Sequence, residues 1–273
     1  MDAQITVIYC LCDDVLKALH HWEDPQRRMT DAEVMTTAIV AMVFFGGNFE
    51  RARKLLKAPT YIPNMLSKSR FTRRLHAISG LVRSLFDLLS QTWKALNREA
   101  IYIIDSFPVA ACDNIRIPRA KIYQREVYRG YTASKKRYFY GLKIHLMVTQ
   151  GGQPVEFFLT PGSFSDARAL HGFTFDLPEG STVYADKAYN DYQTEDLLQE
   201  AADIRLQPIR KKNSKRPLPA YVIYLQEHAR KMIETAGSML ERLLPKSIHA
   251  VTAQGFELKV ALFVLASSIH YTL

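Results

Sequence analysis

The change in hydrophobic periodicity near residue 98 constrains the fold of this chain most strongly. Before it, apolar residues recur with the spacing of amphipathic helices, and after it they form short runs typical of strands. The runs at 101–104 and 182–185 contain no charged residue. Such runs are typical of strands whose two faces are both covered by helices. We therefore predict a helical domain over residues 1–98 and an α/β domain over residues 99–273.

The elements after residue 98 are predicted from alternation, apolar runs and turn residues. In chain order they are a strand at 101–104, a hairpin of 138–149 and 155–159, a short helix at 166–170, a strand at 182–185, a helix near 190–200, a strand at 204–208, a long amphipathic helix over 222–243 and a last helix at 258–271. This order is that of a five-stranded mixed sheet flanked by helices. It predicts an RNase H-like α/β fold.

Two aspartates directly follow the apolar strands: Asp105 ends the first and Asp186 ends the second. Because open α/β sheets bind ligands at the carboxyl ends of their strands, we expect these carboxylates to lie side by side. Neighbouring carboxylates repel unless a cation lies between them, and hard oxygen ligands suit Mg²⁺ or Mn²⁺. A third carboxylate from a helix beside the sheet would complete a two-metal site, and Glu234 is the candidate.

Each of these acids also has a purely structural interpretation. An aspartate at a strand end is often a turn residue whose side chain bonds nearby backbone. Glu234 lies opposite the apolar stripe of its helix, which equally describes a solvated glutamate paired with Arg230. Gly237 favours the functional interpretation, because glycine inside a helix suggests close approach of another backbone. Competing acids are Asp113, Glu156, Asp166, Asp191 and Glu195, of which Asp166 is predicted to cap a helix.

The charge of the chain points to a polyanionic partner. The sequence has 36 Lys and Arg against 27 Asp and Glu, a formal net charge of +9. The stretch 107–143 has nine basic and two acidic residues, a net charge of +7. Clustered cations release counterions from a phosphate backbone, so this stretch favours nucleic acid as the partner. The alternative is a basic surface that serves only solubility.

The helical domain carries a second basic segment. A capping box at 30–33 opens an apolar helix that stops at Gly46–Gly47, and a basic helix follows from 48 to 56. After a turn, the helix 68–78 has basic residues, including Arg73 and Arg74, around an apolar stripe. A helix-turn-helix that docks on DNA is one interpretation. A solvated basic helix face is the other.

Nothing in the sequence indicates a membrane protein. The longest uncharged apolar run, Val34 to Phe49, has 16 residues, fewer than the ~20 that span a bilayer as a helix. The N-terminus carries Asp2 where a secretory signal would carry a basic residue. The three cysteines are an odd number without the spacing of a disulfide framework. We therefore predict a soluble, cytoplasmic protein without a membrane partner.

Four short blocks occur in the order seen in one compact group of bacterial insertion-sequence DDE transposases. They are Asp-Ser-Phe-Pro-Val at 105–109, Tyr-Gly-Leu-Lys-Ile-His at 140–145, Ala-Asp-Lys-Ala-Tyr at 185–189 and Ile-Glu-Thr at 233–235. The chain resembles this family over roughly residues 65 to 262. The resemblance implies Asp105, Asp186 and Glu234 as catalytic, metal-binding acids, with two Mg²⁺ ions for which Mn²⁺ can substitute.

The resemblance also implies where DNA would bind. It places Lys143 and the basic residues at 135–137 near donor DNA. In the wider family the last catalytic helix often has a Tyr, Arg, Glu, Lys pattern, which Arg230 and Glu234 fit, whereas Glu227 and Glu241 occupy the tyrosine and lysine places. Together with a basic loop at 210–212, the predicted DNA contacts are Arg73, Arg74, Lys135, Lys136, Arg137, Lys143, Arg210, Lys211, Lys212 and Arg230.

The function implied by the resemblance is DNA transposition. The enzyme would cleave DNA at insertion-sequence ends and transfer the strands into target DNA. Its partners would be the double-stranded terminal inverted repeats and the target, and joining two ends implies a homodimer on DNA. Two alternatives stay open: a structure-specific nuclease on the same fold, and a DNA-binding protein with an inert site.

Overall fold

The computed structural model describes residues 1–132, 136–210, 214–228, 231 and 248–273. Five predicted site residues therefore lie outside the described residues: Lys135, Lys211, Lys212, Arg230 and Glu234. The chain divides into two compact units. Unit 1 comprises Met1–Leu89 and, among the described C-terminal residues, 248–273. Unit 2 begins at Ser90 and contains the sheet.

Unit 1 is helical. Its helices are α1 (Asp2–Ala18), α2 (Asp31–Phe45), α3 (Phe49–Leu56), α4 (Lys68–Ala77), the first part of α5 (Ser79–Leu96) and, at the C-terminal end, α9 (Ala253–His270). The predicted capping box is confirmed: the Thr30 side chain accepts from the Glu33 backbone N–H, and the Glu33 side chain accepts from the Thr30 backbone N–H. Two orphan amide groups at the start of α2 are thereby satisfied.

The core of unit 1 is built around α2 and α9, which pack against each other. Both helices are apolar on nearly all sides, and both are buried along most of their length. The predicted stop of α2 is also confirmed, since Gly46 ends it in the left-handed conformation at φ +55°. At Gly47, φ is +80°, and a Cβ atom would lie 2.9 Å from the ring of Phe263 on α9. Only glycine fits both requirements.

The position of α9 differs from the sequence prediction, which assigned residues 99–273 to one catalytic domain. The structure groups α9 with the N-terminal helices, whose own group ends at Leu89 rather than at residue 98. The physical reason is that a helix without a polar face must be buried on all sides. In unit 1, α9 meets this requirement against the equally apolar α2.

The basic segment of unit 1 has its apolar stripe where it was predicted. Phe71 and Leu75 of α4 are buried, and Ile78 is buried directly after it. However, the segment 57–67 between α3 and α4 has eleven residues. A helix-turn-helix joins its helices through three or four. DNA binding by the helical unit stays a prediction.

The described residues of unit 2 form a six-stranded mixed sheet. Its strands are β1 (Ile101–Asp113), β2 (Arg129–Thr132), β3 (Arg137–Thr149), β4 (Pro154–Pro161), β5 (Thr182–Ala185) and β6 (Arg205–Pro208). Neighbouring strands follow the order β2-β3-β1-β5-β6, and β4 also pairs with β3. The pairs of β3 with β1, β2 and β4 are antiparallel, whereas β1 with β5 and β5 with β6 are parallel. The predicted RNase H-like architecture is confirmed, with one strand more than predicted.

Two details of the sheet correct the prediction. Asp105 does not end the first strand, because β1 continues to Asp113 through antiparallel pairing with β3. Only the parallel pairing with β5 stops at Ile104. The extra strand, β2, pairs with the first four residues of β3. The aromatic ring pair Tyr131–Tyr138 stabilises this pairing across the two strands.

Helices flank the sheet of unit 2. They are α6 (Asp166–Ala169), α7 (Tyr192–Ala202) and α8, whose described helical residues include 220–228. The core combines residues of β1, β5 and β6, such as Tyr102, Val183 and Leu206, with aromatic residues of the segment after α6, Phe173 and Phe175. The sheet is therefore anchored on a packed apolar layer.

Within the described chain, no single helix is both long and apolar enough to cross a membrane. The one helix pair that meets the criteria jointly, α2 with α3, is bent by 114°.

Candidate active site

The two predicted aspartates lie at adjacent positions of neighbouring strands. Asp105 follows Ile104 on β1, and Ile104 pairs in parallel register with Ala185, the residue before Asp186. Both aspartates are half-buried. Neighbouring strands in a sheet run about 4.8 Å apart, so the two residues are adjacent across the strand pair. The predicted pairing of the two strands is confirmed, although Asp105 lies within β1 rather than at its end.

A third carboxylate, that of Asp166, bonds the residue that follows Asp105 on β1. Its Oδ1 accepts a hydrogen bond from the Ser106 hydroxyl at 3.0 Å and another from Lys143 Nζ at 3.2 Å. The sequence predicted Asp166 as a helix cap. The cap of α6 is instead Ser165, whose hydroxyl accepts from the Arg168 backbone N–H. The Asp166 side chain therefore bonds residues of β1 and β3 instead of capping its own helix.

A buried polar pair lies beneath the carboxylates. The Tyr189 hydroxyl and His145 Nδ1 are 3.1 Å apart, and His145 Nε2 lies 2.9 Å from the Thr160 hydroxyl. His145 is fully buried and Tyr189 is 1% exposed. The ring of Phe158 stacks on His145 with centroids 4.9 Å apart. Both ring nitrogens of His145 therefore have partners in an otherwise dry environment.

The protonation of this buried pair follows from its surroundings. Burial lowers the pKa of His145 to about 4, with a smaller opposing effect from the charge of Asp166. Burial also raises the pKa of Tyr189 well above its usual value, and the charges of Asp166, Asp105 and Asp186 add to this effect. His145 and Tyr189 are accordingly both neutral at pH 7. Asp105, Asp166 and Asp186 therefore all act electrostatically on Tyr189.

The other acids that competed for a catalytic role have structural partners. Asp191 caps α7 by accepting from the Gln193 backbone N–H. The remaining three are held as follows: Glu195 by Arg210, Asp113 by Arg137, and Glu156 by the backbone N–H and hydroxyl of Thr174. The charges that raise the pKa of Tyr189 are those of Asp105, Asp166 and Asp186 and of none of these four.

Two of the predicted DNA contacts form ion pairs with buried carboxylates of the protein itself. Arg74 binds the buried carboxylate of Asp31 at 2.6 Å and donates to the Met29 carbonyl at 3.0 Å. Arg210 forms a bidentate ion pair with Glu195, with both N–O distances 2.6 Å. The side chains of Arg74 and Arg210 are 18% and 11% exposed. Their partners are buried carboxylates, which sequence spacing alone does not reveal.

The other described residues among the predicted DNA contacts differ in their exposure to solvent. Arg73 is exposed on α4, and Lys136 and Arg137 are exposed at the start of β3. Lys143 is 19% exposed and donates to Asp166 and to the Phe164 carbonyl. Between β1 and β3, the chain adds exposed basic residues that were counted in the +7 stretch but not selected: Arg116, Arg119, Lys121 and Arg125.

A family model described as "Transposase DDE domain" matches residues 96–249, more than half of the chain. The chain belongs to the DDE transposases. Comparison of the transposase with curated proteins and with solved structures gives no match. The matched range contains both aspartates, Asp166 and the buried pair beneath them. DDE transposases act on DNA and use divalent metal ions.

The donor set of the transposase fits a divalent cation. Carboxylate oxygens are the ligands that Mg²⁺ and Mn²⁺ prefer. Among the described residues, no hydrogen bond or ion pair reaches the Asp186 carboxylate, although it is half-buried beside Asp105. A half-buried acid beside a second one is unfavourable without a compensating cation. These two residues therefore suit an ion that bridges or neutralises them.

Among the described residues, one group of three acidic or histidine side chains has its ligand atoms within 4.8 Å of one another, and it is His21, Glu23 and Asp31 in unit 1 rather than the acids of the sheet. The Asp31 carboxylate already accepts from Arg27 at 2.8 Å and from Arg74 at 2.6 Å. A metal ion there would have to displace two guanidinium groups. This group is a buried ion-pair network.

Sequence reasoning selected Asp105 and Asp186 and considered Asp166 as a competing acid, but it did not single out Ser106, His145 or Tyr189. A signal for the buried pair was present, because His145 interrupts the apolar strand β3 with a polar side chain. Buried polar side chains nearly always have hydrogen-bond partners. The identity of those partners depends on residues 15 and 44 positions away, which no local pattern gives.

Proposed function

We propose that the transposase cleaves DNA at the ends of an insertion sequence and transfers the strands into target DNA, with Asp105, Asp186 and Glu234 as metal-binding acids. The observation that carries the proposal is the adjacency of Asp105 and Asp186 within the region matched by the DDE family. The three acids would hold two Mg²⁺ ions, for which Mn²⁺ can substitute. Two such ions stabilise the attacking and leaving oxygens of an in-line displacement.

The proposed reaction needs no protein nucleophile. Water attacks the phosphodiester at the element end, the bond from phosphorus to the 3′-oxygen breaks, and a 3′-hydroxyl is released. That hydroxyl then attacks a phosphodiester of the target, whose own 3′-oxygen leaves. The protein's part is to position the acids close to the buried, neutral pair of His145 and Tyr189.

The described part of α8 supports Glu234 as the third acid. Gln226 is buried and donates to the Gln207 carbonyl on β6 at 2.9 Å. The next residue of β6, Pro208, pairs in register with Ala185, directly before Asp186. Helix α8 thus reaches the sheet edge that carries Asp186. Glu234 follows Gln226 by eight residues in the sequence.

The proposed DNA-binding residues are the exposed basic residues of 114–132 and 136–137 in unit 2 and, separately in unit 1, Arg73 on α4. Arg116, Arg119, Lys121 and Arg125 are exposed in this segment, between the two longest strands of unit 2. Such a group of cations favours a phosphate backbone. We also propose double-stranded element ends and target DNA as partners, a homodimer on DNA, and the bacterial cytoplasm as the place of action.

The proposed function is tested by incubating the transposase with candidate element ends and Mg²⁺ and scoring both nicking and strand joining. Joining of paired ends to a target is the expected result. Cleavage without joining would identify a structure-specific nuclease. Absence of any metal-dependent cleavage would leave only DNA binding and would overturn the proposal.

Binding of the transposase to duplex DNA is expected to weaken steeply with salt. For each phosphate neutralised, log K should fall by about 0.9 per unit of log salt concentration. The double variant R119A/K121A should reduce this slope by up to about 1.8. Fluorescence anisotropy over a salt series measures it, with R205A, an exposed cation on β6, as the control. Equal slopes for R119A/K121A and the wild type would remove the segment from the interface.

A further inference from the structure

We propose that Asp166 is a positioning residue of the active site: it ties Ser106 of β1 to Lys143 of β3 and thereby presents the Asp105 carboxylate to divalent cations. The inference rests on the proposed function, because it concerns the same acids. This role differs from the metal binding proposed for Asp105, Asp186 and Glu234. Its task is to fix the strand segment that carries Asp105.

The need for such a tie follows from the pairing of β1. Up to Ile104, β1 lies between β5 and β3, but its parallel pairing with β5 ends there. Asp105 and Ser106 therefore continue with only β3 on one side, opposite Leu146 and His145. A strand segment that loses a neighbour also loses hydrogen bonds that hold its position. The first metal-binding acid lies at this transition.

Asp166 provides a connection across this transition. Ser106 pairs with His145, and Lys143 lies two residues before His145, so Ser106 and Lys143 are on one face of the sheet. The Asp166 carboxylate bonds both, at 3.0 Å and 3.2 Å. The backbone N–H of Ser106 donates to the Asp105 carboxylate at 2.7 Å. Displacement of Ser106 would therefore displace a donor that orients Asp105.

Charge is part of the same arrangement. Lys143 and Asp166 are 19% and 21% exposed, so their ion pair is partly shielded from solvent. With the charge on Asp166 removed, the Lys143 ammonium would keep its charge without a counter-ion. The net charge around Tyr189, on which Asp105 and Asp186 also act, would become more positive and would disfavour a cation. Loss of Asp166 should thus weaken cation binding both by geometry and by charge.

The closing experiment measures Mn²⁺ binding to the full-length transposase without DNA, by the electron paramagnetic resonance of free Mn²⁺. We expect D166N to bind Mn²⁺ about 10-fold or more weakly, as is typical for a lost partner of a metal ligand. D105N supplies the reference for loss of the site. D196N is the matched control, because Asp196 forms an exposed ion pair with Arg216 elsewhere in unit 2 and should leave binding unchanged.

A purely structural role for Asp166 predicts a different pattern. In that case the affinity would fall only in proportion to the unfolded fraction, which thermal melting without metal measures. S106A provides a second variant that removes the hydroxyl joining Asp166 to β1, which also bonds Tyr189, and it should weaken Mn²⁺ binding with little change in melting. Wild-type affinity in both D166N and S106A would overturn the inference.

The same variants separate this inference from the proposed function. Suppose that the wild-type enzyme cleaves element ends, D105N is inactive and D166N has an unchanged Mg²⁺ requirement. That combination would overturn the role of Asp166 alone. A wild-type enzyme that neither binds Mn²⁺ nor cleaves would overturn the proposed function and this inference together. A raised Mg²⁺ midpoint for cleavage by D166N, at unchanged melting temperature, would support both.

Discussion

Replacing Asp105 or Asp186 with asparagine is expected to reduce DNA cleavage by at least about a thousandfold. Metal ions at such a site supply several kcal/mol of transition-state stabilisation, and each 1.36 kcal/mol corresponds to a factor of ten in rate. Asparagine keeps the size and a hydrogen-bonding oxygen but removes the charge that holds a cation. The measurement is single-turnover nicking of an element end with Mg²⁺.

The matched control for these variants is D203N. Asp203 is exposed and precedes β6, at the opposite end of the parallel strands from Asp186. It adopts φ +49°, a left-handed conformation that asparagine tolerates as well as aspartate. Its variant should therefore cut DNA at the wild-type rate. A D105N enzyme that nicks as fast as D203N would remove Asp105 from the catalytic residues.

Replacing Asp31 with alanine is expected to destabilise the transposase by about 3–5 kcal/mol. The Asp31 side chain is 1% exposed, and its carboxylate accepts from His21, Arg27 and Arg74 at 2.6–2.9 Å. Removing it leaves the partly buried guanidinium of Arg74 without its counter-ion. Urea denaturation measures the change. D87A, which breaks the exposed pair Arg83–Asp87, should cost no more than about 1 kcal/mol.

The acid sensitivity of the same network has a defined sign. Burial alone would raise the pKa of Asp31, but hydrogen bonds from His21 and Arg74 lower it below its usual value. A lowered pKa means that the ionised carboxylate is more stable in the folded protein than in the unfolded chain. This contribution is present above about pH 4 and is lost as the pH falls further. In D31A the difference in stability from the wild type should shrink in that range.

The Asp31 network also separates two roles for Arg74, which the sequence predicted as a DNA contact. Its partner Asp31 lies 43 positions away and within the first turn of the buried helix α2. No periodicity connects the two residues. If Arg74 is structural, R74A should lower stability to an extent similar to D31A, whereas R73A, at an exposed position of the same helix, should not.

The features that could be predicted from the sequence depend on residues close together in the chain. The apolar runs before Asp105 and Asp186 fix two strands that need cover on both faces, so their parallel pairing and the meeting of the two acids followed. The capping box at Thr30 and the stop at Gly46 depend on backbone groups within a few residues and were likewise predictable. These features need no knowledge of distant residues.

What the sequence could not predict depends on contacts between distant residues. Asp166 has a good local explanation as a helix cap, and only its meeting with Ser106, 60 positions away, gives it another. The continuation of β1 past Asp105 depends on pairing with β3, whose register no local pattern specifies. Arg210 looked like a surface cation because its buried partner Glu195 belongs to a preceding helix.

The pairing of α2 with α9 has a consequence for how the protein is made. About 200 residues separate the two helices. Because a ribosome adds ~5–20 residues per second, α9 is synthesised roughly 10–40 s after α2. During that time its apolar surface lacks its final cover and remains a target for chaperones and proteases. A prematurely terminated chain never acquires α9. Truncated products should therefore be cleared rather than persist as inactive competitors for element ends.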